Sequence, residues 1–170
     1  MSRREDRAQE QRDQAALVAA FDLEVRRMGS MATLHNHAIA DAAGLHQTDQ
    51  ECLDLLDWAE PLTPGEIAKH LGLSSGAVTG LIDRLEAGGW VRRERDTADR
   101  RRILVHLSHA RAAELWPLYQ PLSNAIDAYR DLLNADELVT VVRFLEFANQ
   151  TLADATEHAR RSTAAQIPPE

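Results

Sequence analysis

Between Leu62 and Ser108 the chain reads LTPGEIAKHLGLSSGAVTGLIDRLEAGGWVRRERDTADRRRILVHLS, a stretch that leaves little freedom in how it can fold. Thr63, followed three residues later by Glu66 and with Pro64 at the first helical position, is a capping box. Ile67, Ala68 and Leu71 then recur at helical spacing, and Gly72 supplies a left-handed stop. Ser74 is placed to cap a second helix whose inner face is Ala77, Val78, Leu81, Ile82 and Leu85, and Gly88 and Gly89 end it. Two β-prone runs follow, Trp90 to Arg95 and Ile103 to Leu107, joined by a loop of Asp and Arg. Helix, tight turn, helix and hairpin in this order make a winged helix-turn-helix.

The outer face of the second helix carries the functional argument. Spacing places Ser75, Gly76, Thr79, Gly80 and Asp83 away from the apolar stripe. Such a small, hydrogen-bonding surface lets a helix enter a major groove and reach base edges. Gly80 in mid-helix costs about 1 kcal/mol relative to alanine, so its presence points to a close approach. In the hairpin, Asp99 and Arg101 are two apart and project to one side of an extended segment. A carboxylate there is expected to brace the guanidinium, and an oriented arginine at a hairpin tip suits a narrow minor groove.

With these residues in place, the segment from Thr63 to Ser108 resembles the MarR (multiple antibiotic resistance regulator) family of bacterial transcription factors. Leu81, Asp83, Arg84, Leu85, Gly89, Val91, Arg95, Asp96, Asp99 and Arg101 carry the likeness, and flanking helices of suitable length extend it over roughly residues 14–160. The resemblance implies a homodimer on a pseudo-palindromic double-stranded operator, usually repression, and often release by a small aromatic or phenolic ligand. The recognition helix would be 74–87 in the major groove and the wing 91–107 in the minor groove. Ser74, Ser75, Gly76, Thr79, Arg84, Arg95, Asp99, Arg100 and Arg101 are the expected DNA-binding residues, with Arg84 and Arg95 on phosphates.

Charge is distributed to match. The whole chain carries −8, which argues against a generally basic nucleic-acid binder. Residues 63–107 nevertheless hold eight basic and six acidic side chains, for +2, whereas 1–62 carry −6 and 108–170 carry −4. A basic edge on an acidic body orients the molecule on DNA and discourages other contacts. No apolar run approaches membrane-spanning length and no signal peptide is recognisable, so a cytoplasmic protein without membrane contact is expected. One cysteine excludes an internal disulfide. There is no phosphate-binding glycine loop, no G-x-S-x-G and no H-E-x-x-H, so no catalytic residues, metal or cofactor are expected and the chain reads as a non-enzyme.

The expected fold is mainly α with a small β-hairpin wing, the winged core being flanked by long N- and C-terminal dimerisation helices. The first helix should run from about Arg12 to Ala43, with Leu17, Phe21, Met28, Met31 and Ile39 near one face. Thr48 and Glu51 form a second capping box for a helix burying Leu53, Leu56 and Cys52. Ser108 can cap a fifth helix that Pro117 and Pro121 must kink or divide, and Asn134 with Glu137 caps a last one. That last helix carries Leu138, Val141, Val142, Leu145, Ala148 and Leu152 in one stripe. A small winged core has limited room to cover both terminal helices, which favours an isologous two-fold interface. The domain boundaries follow: a polar extension at 1–12, a discontinuous dimerisation region at 13–61 and 108–161, the winged domain at 62–107, and a flexible tail at 162–170.

Sensor residues are weakly marked. His35 and His37 face different sides of a helix, poor geometry for joint chelation. His46, Glu51 and Cys52 make a metal-responsive regulator an alternative, and Cys52 alone a redox-responsive one, although no adjacent basic residue lowers its pKa. A winged-helix protein-interaction module without DNA binding is the remaining alternative. Because relatives bind aromatic anions between dimer helices and winged domain, the resemblance nominates His35, Ile39, Trp58, Trp116 and Tyr119 as a ligand pocket.

Overall fold

A computed structural model of the chain describes residues 3–166. In order, the elements are α1 (Arg3–Ala43), α2 (Gln47–Ala59), α3 (Pro64–Leu71), α4 (Ser75–Ala87), β1 (Val91–Arg95), β2 (Ile103–Leu107), α5 (His109–Ala112), a 3₁₀ turn (Ala113–Leu115), α6 (Trp116–Arg130) and α7 (Ala135–Gln166). The protein is thus mainly helical with one antiparallel hairpin, in register from Val91 opposite Leu107 to Arg95 opposite Ile103. Leu62 adds a single bridge to the far side of β2: Val105 N–H donates to its carbonyl at 2.7 Å, and Leu62 N–H returns the bond at 3.3 Å. Among the described residues no helix is long and apolar enough to cross a membrane.

The local signals of the central segment act as expected. Glu66 N–H donates to the Thr63 hydroxyl at 3.2 Å while Thr63 N–H donates to the Glu66 carboxylate at 2.7 Å, closing the capping box. Gly72 ends α3 at φ 69°, where a side chain would be strained. Ser74 accepts from Ala77 N–H at 3.3 Å and begins α4. Val78, Leu81, Ile82 and Leu85 are buried, but Ala77, expected on the inner face, is exposed in the first turn of α4.

Several expectations need correction. α1 begins at Arg3, so the polar stretch placed at 1–12 continues the helix over its described part. Likewise α7 runs to Gln166 where a tail was expected from 162; residues 167–170 lie outside the described residues. α2 starts at Gln47, one residue before Thr48, with no side-chain cap, so the Thr48–Glu51 box does not form. Gly44 (φ 65°) closes α1 and Leu45 N–H returns to Ala40 at 2.9 Å, fixing where the next helix must begin. Ser108 stands at the cap position of α5 without a side-chain bond. Pro117 does divide the following segment, standing in the first turn of α6, whereas Pro121 is accommodated inside that helix. Asn134 accepts from Asp136 and Glu137 N–H at 3.0 and 3.1 Å, and Glu137 accepts from Asn134 N–H at 2.8 Å, so the last cap is complete.

The larger correction concerns α2. The core joins Cys52, Leu53, Leu55 and Leu56 of α2 to Ile67, Leu81, Ile82, Leu85, Val105 and Leu107, closed by Trp90 and Leu115. α2 therefore packs its apolar face into the winged core as well as against α1. Each fully buried Leu or Ile there contributes about 1.5–3 kcal/mol relative to exposure. Trp90 completes the seal with the Arg111 guanidinium stacked 4.5 Å from its ring centre.

Candidate nucleic-acid interface

α4 turns its four buried apolar residues inward and so must present Ser75, Gly76 and Thr79 outward, where all three are exposed. Nothing lies within 4 Å of where a Cβ would stand on Gly76, and Gly80 meets only the Arg84 guanidinium at 3.9 Å. The two glycines thus leave a shallow, open surface. Thr79 donates its hydroxyl to the Ser75 carbonyl at 2.9 Å, keeping oxygen lone pairs available outward. Ser74 serves as the cap, which fixes its side chain at the start of the same face.

The arginines divide into fixed and free. Arg93 joins Asp83 and Glu86 of α4, both at 2.5 Å, and its own N–H donates to Glu86 at 3.0 Å, riveting the wing to the recognition helix. Arg102 lies 3.7 Å from Glu66 and 3.9 Å from Asp96. Arg84, expected on a phosphate, instead grips Asp49 of α2, Nη2 to Oδ1 at 2.7 Å, with a longer second contact from Nε at 3.4 Å. Asp49 is buried, so this pair anchors α4 to α2. Among the described residues Arg95, Arg100 and Arg101 form no ion pair and all are exposed on the wing. The expected brace of the Arg101 guanidinium by Asp99 is absent. The Asp99 carboxylate accepts from Arg101 N–H at 3.0 Å, while its carbonyl accepts from Arg102 N–H at 2.9 Å, so Asp99 shapes the turn and leaves the side chain free.

α4 thus shows a bare outward face beside a wing whose Arg95, Arg100 and Arg101 are free of ion pairs among the described residues. Residues 45–103 match the MarR family. The HTH-type transcriptional regulator YcgE of Bacillus subtilis (strain 168) is 36% identical over 137 residues, spanning 80% of this chain and 88% of that protein. The chain belongs to the MarR family. It is a DNA-binding transcription regulator of that family's winged-helix type. The multiple antibiotic resistance protein MarR of Escherichia coli (strain K12) is 35% identical over 88 residues, half of this chain and 60% of the relative. A solved MarR family protein from Bacillus stearothermophilus shares the fold at a TM-score of 0.59 and 20% identity, covering 80% of this chain and 95% of that one.

The ligand-pocket residues nominated from the MarR resemblance are not gathered in one place. Trp116 and Tyr119 line a cavity of about 580 Å³ between α2 and α6. His35 stands behind Tyr119, ring to ring at 6.1 Å, and Ile39 is buried at the base of α1. Trp58 is exposed and packs edge-on against His70 at 6.2 Å, away from the cavity. Sequence reasoning missed the polar wall, Gln50, Asp54 and Asp57 of α2 with Asp127 of α6. Gln50 donates to Asp54 at 2.9 Å and to the Tyr119 hydroxyl at 2.6 Å, and Tyr119 donates to Asp54 at 3.2 Å. Among the described residues no lysine or arginine lines the cavity, which makes it a poor host for the phenolic anion the resemblance implied. Cys52 is sealed in the core, and burial, aided by the Asp49 charge, pushes its thiol up to about 12.

Proposed function

We propose that the protein acts in the cytoplasm as a homodimeric, non-enzymatic repressor that reads a pseudo-palindromic operator and lets go when a small molecule binds. The observation that carries this reading is the open face of Ser75, Gly76 and Thr79 lying beside the unpaired Arg95, Arg100 and Arg101. Helix 74–87 would enter the major groove with Ser75 and Thr79 on base edges, the wing 91–107 would place Arg101 in the minor groove, and Arg95 would hold phosphate. Two-fold symmetry suits the task, since successive half-sites of a palindrome lie about 34 Å apart along the duplex. The platform would be α1 with α5–α7, whose apolar residues Leu17, Phe21, Met28, Leu145 and Leu152 are exposed in the single chain.

Affinity for operator and scrambled DNA at two salt concentrations tests this reading. Ser75→Ala or Thr79→Ala should cost about 1–3 kcal/mol on the operator and relax discrimination at particular base pairs. Arg95→Ala should weaken all sequences alike and lower the salt slope by about 1. Arg101→Ala should weaken the operator most where its flanks are A·T-rich. A dimer that ignores DNA at low salt would leave a protein-interaction module as the function.

A further inference from the structure

We propose that the cavity between α2 and α6 binds an organic cation with an aromatic or branched apolar body. Its role as the effector site rests on the regulator reading above, whereas the binding itself does not.

The size and walls set the class of molecule. About 580 Å³ suits a drug-sized ligand, and Leu53, Leu115 and Leu122 give an apolar lining. Trp116 lines the same cavity with its indole half exposed, the arrangement in which a ring face attracts a positive charge.

The polar groups set the sign. Asp54 and Asp57 lie one helical turn apart on α2, and among the described residues neither forms an ion pair. Asp127, across the cavity, is already paired with Arg130 at 2.6 Å and adds less. The lining base, His109, has Glu60 as its own partner at 3.1 Å. An entering anion would meet two carboxylates that have no cationic partner, and an entering cation would meet its counter-ions in a partly desolvated place. Burial holds the Asp54 carboxyl above its ordinary range, with the Asp57 charge adding to the effect, so a positive guest relieves a cost already present.

A second observation points the same way. Gln50 lines the cavity, is almost wholly buried, and leaves its Oε1 without a hydrogen-bond partner although its Nε2 donates twice. That Oε1 is closed off from solvent, so a guest reaches it only when the Gln50 amide swings toward the cavity, and a protonated amine then supplies the donor that a carboxylate or phenolate does not.

Calorimetry on the intact chain with diphenylpropylammonium and diphenylpropanoate, ligands alike in shape and opposite in charge, tests the assignment. The ammonium ion should bind about tenfold tighter or better, a difference of one decade in Kd. Asp57→Asn, at an exposed position without hydrogen bonds to lose, should weaken the ammonium ion several-fold. Asp54→Asn/Asp57→Asn should abolish the preference, and should the double variant not fold, the single variant carries the test. Equal or tighter binding of the carboxylate, binding unchanged by Asp57→Asn, or no binding of either compound overturns the proposal. Operator affinity measured with saturating ammonium ion separates the two readings. Binding without an effect on DNA keeps the cation site and removes its effector role, whereas an unliganded protein that ignores DNA strikes the regulator reading alone.

Discussion

The winged core and the terminal helices are built from the same residue types at the same helical spacing, yet their apolar faces meet opposite fates. In α2, α3 and α4, Leu56, Ile67 and Ile82 are sealed within the chain's own fold. In α1 and α7, Phe21, Met28, Met31, Leu145 and Leu152 stay exposed, with Phe21 against Phe144 at 5.1 Å as a contact between the two helices. An exposed apolar stripe of that length is what the proposed homodimer would cover with a second chain. Periodicity therefore tells which face of a helix will be buried, but not which molecule buries it.

Truncation after Asn134 is the most severe way to break this contrast. Removing α7 should leave α1 uncovered and yield aggregate in light scattering; a well-behaved, DNA-binding monomer would instead show that the stripes are not an interface. Next in size, Leu56→Ala should cost about 2–5 kcal/mol in denaturant melts. That loss should not change with protein concentration, while Leu145→Ala should lower stability in a concentration-dependent way. Arg84→Ala comes third: it should lower stability in the absence of DNA, because it strands the buried Asp49 carboxylate. A pure phosphate contact would leave DNA-free stability unchanged. Smallest is the cap: Thr63→Ala should cost about 1 kcal/mol. Its partner Glu66 titrates below its ordinary range, held down by the Thr63 backbone bond and then by the hydroxyl. Its contribution is complete above the unfolded pKa and is lost as pH falls through the folded one, so Glu66→Gln should matter near neutrality and progressively less as the pH falls through the lowered carboxylate range.

What was legible beforehand was what the chain does locally. Thr63 with Glu66, Gly72 as a stop, Ser74 as a cap and the two strands each involve residues a few positions apart, so their geometry follows from spacing. The membership of α2 in the winged core was not legible, because its apolar face would look the same against any neighbour. Nor was the pairing of Arg84 with Asp49, separated by 35 positions, or of Tyr119 with Asp54, separated by 65. At the wing the expected bond is replaced by another. A D-x-R spacing permits the carboxylate to brace either the guanidinium or the backbone, and the turn after Asp96 takes the backbone.

Asp49 and Gln50 stand side by side on α2, the first gripping Arg84 and the second forming a wall of the cavity. A single peptide unit separates them, within a hydrogen-bonded helix that has no soft torsion to absorb a push. A roll of α2 that shifts the Gln50 amide would also displace the Asp49 carboxylate and, through its bond to Arg84, pull on α4. The wall of the cavity and the seat of α4 thus share one helix, joined through the Asp49–Arg84 pair.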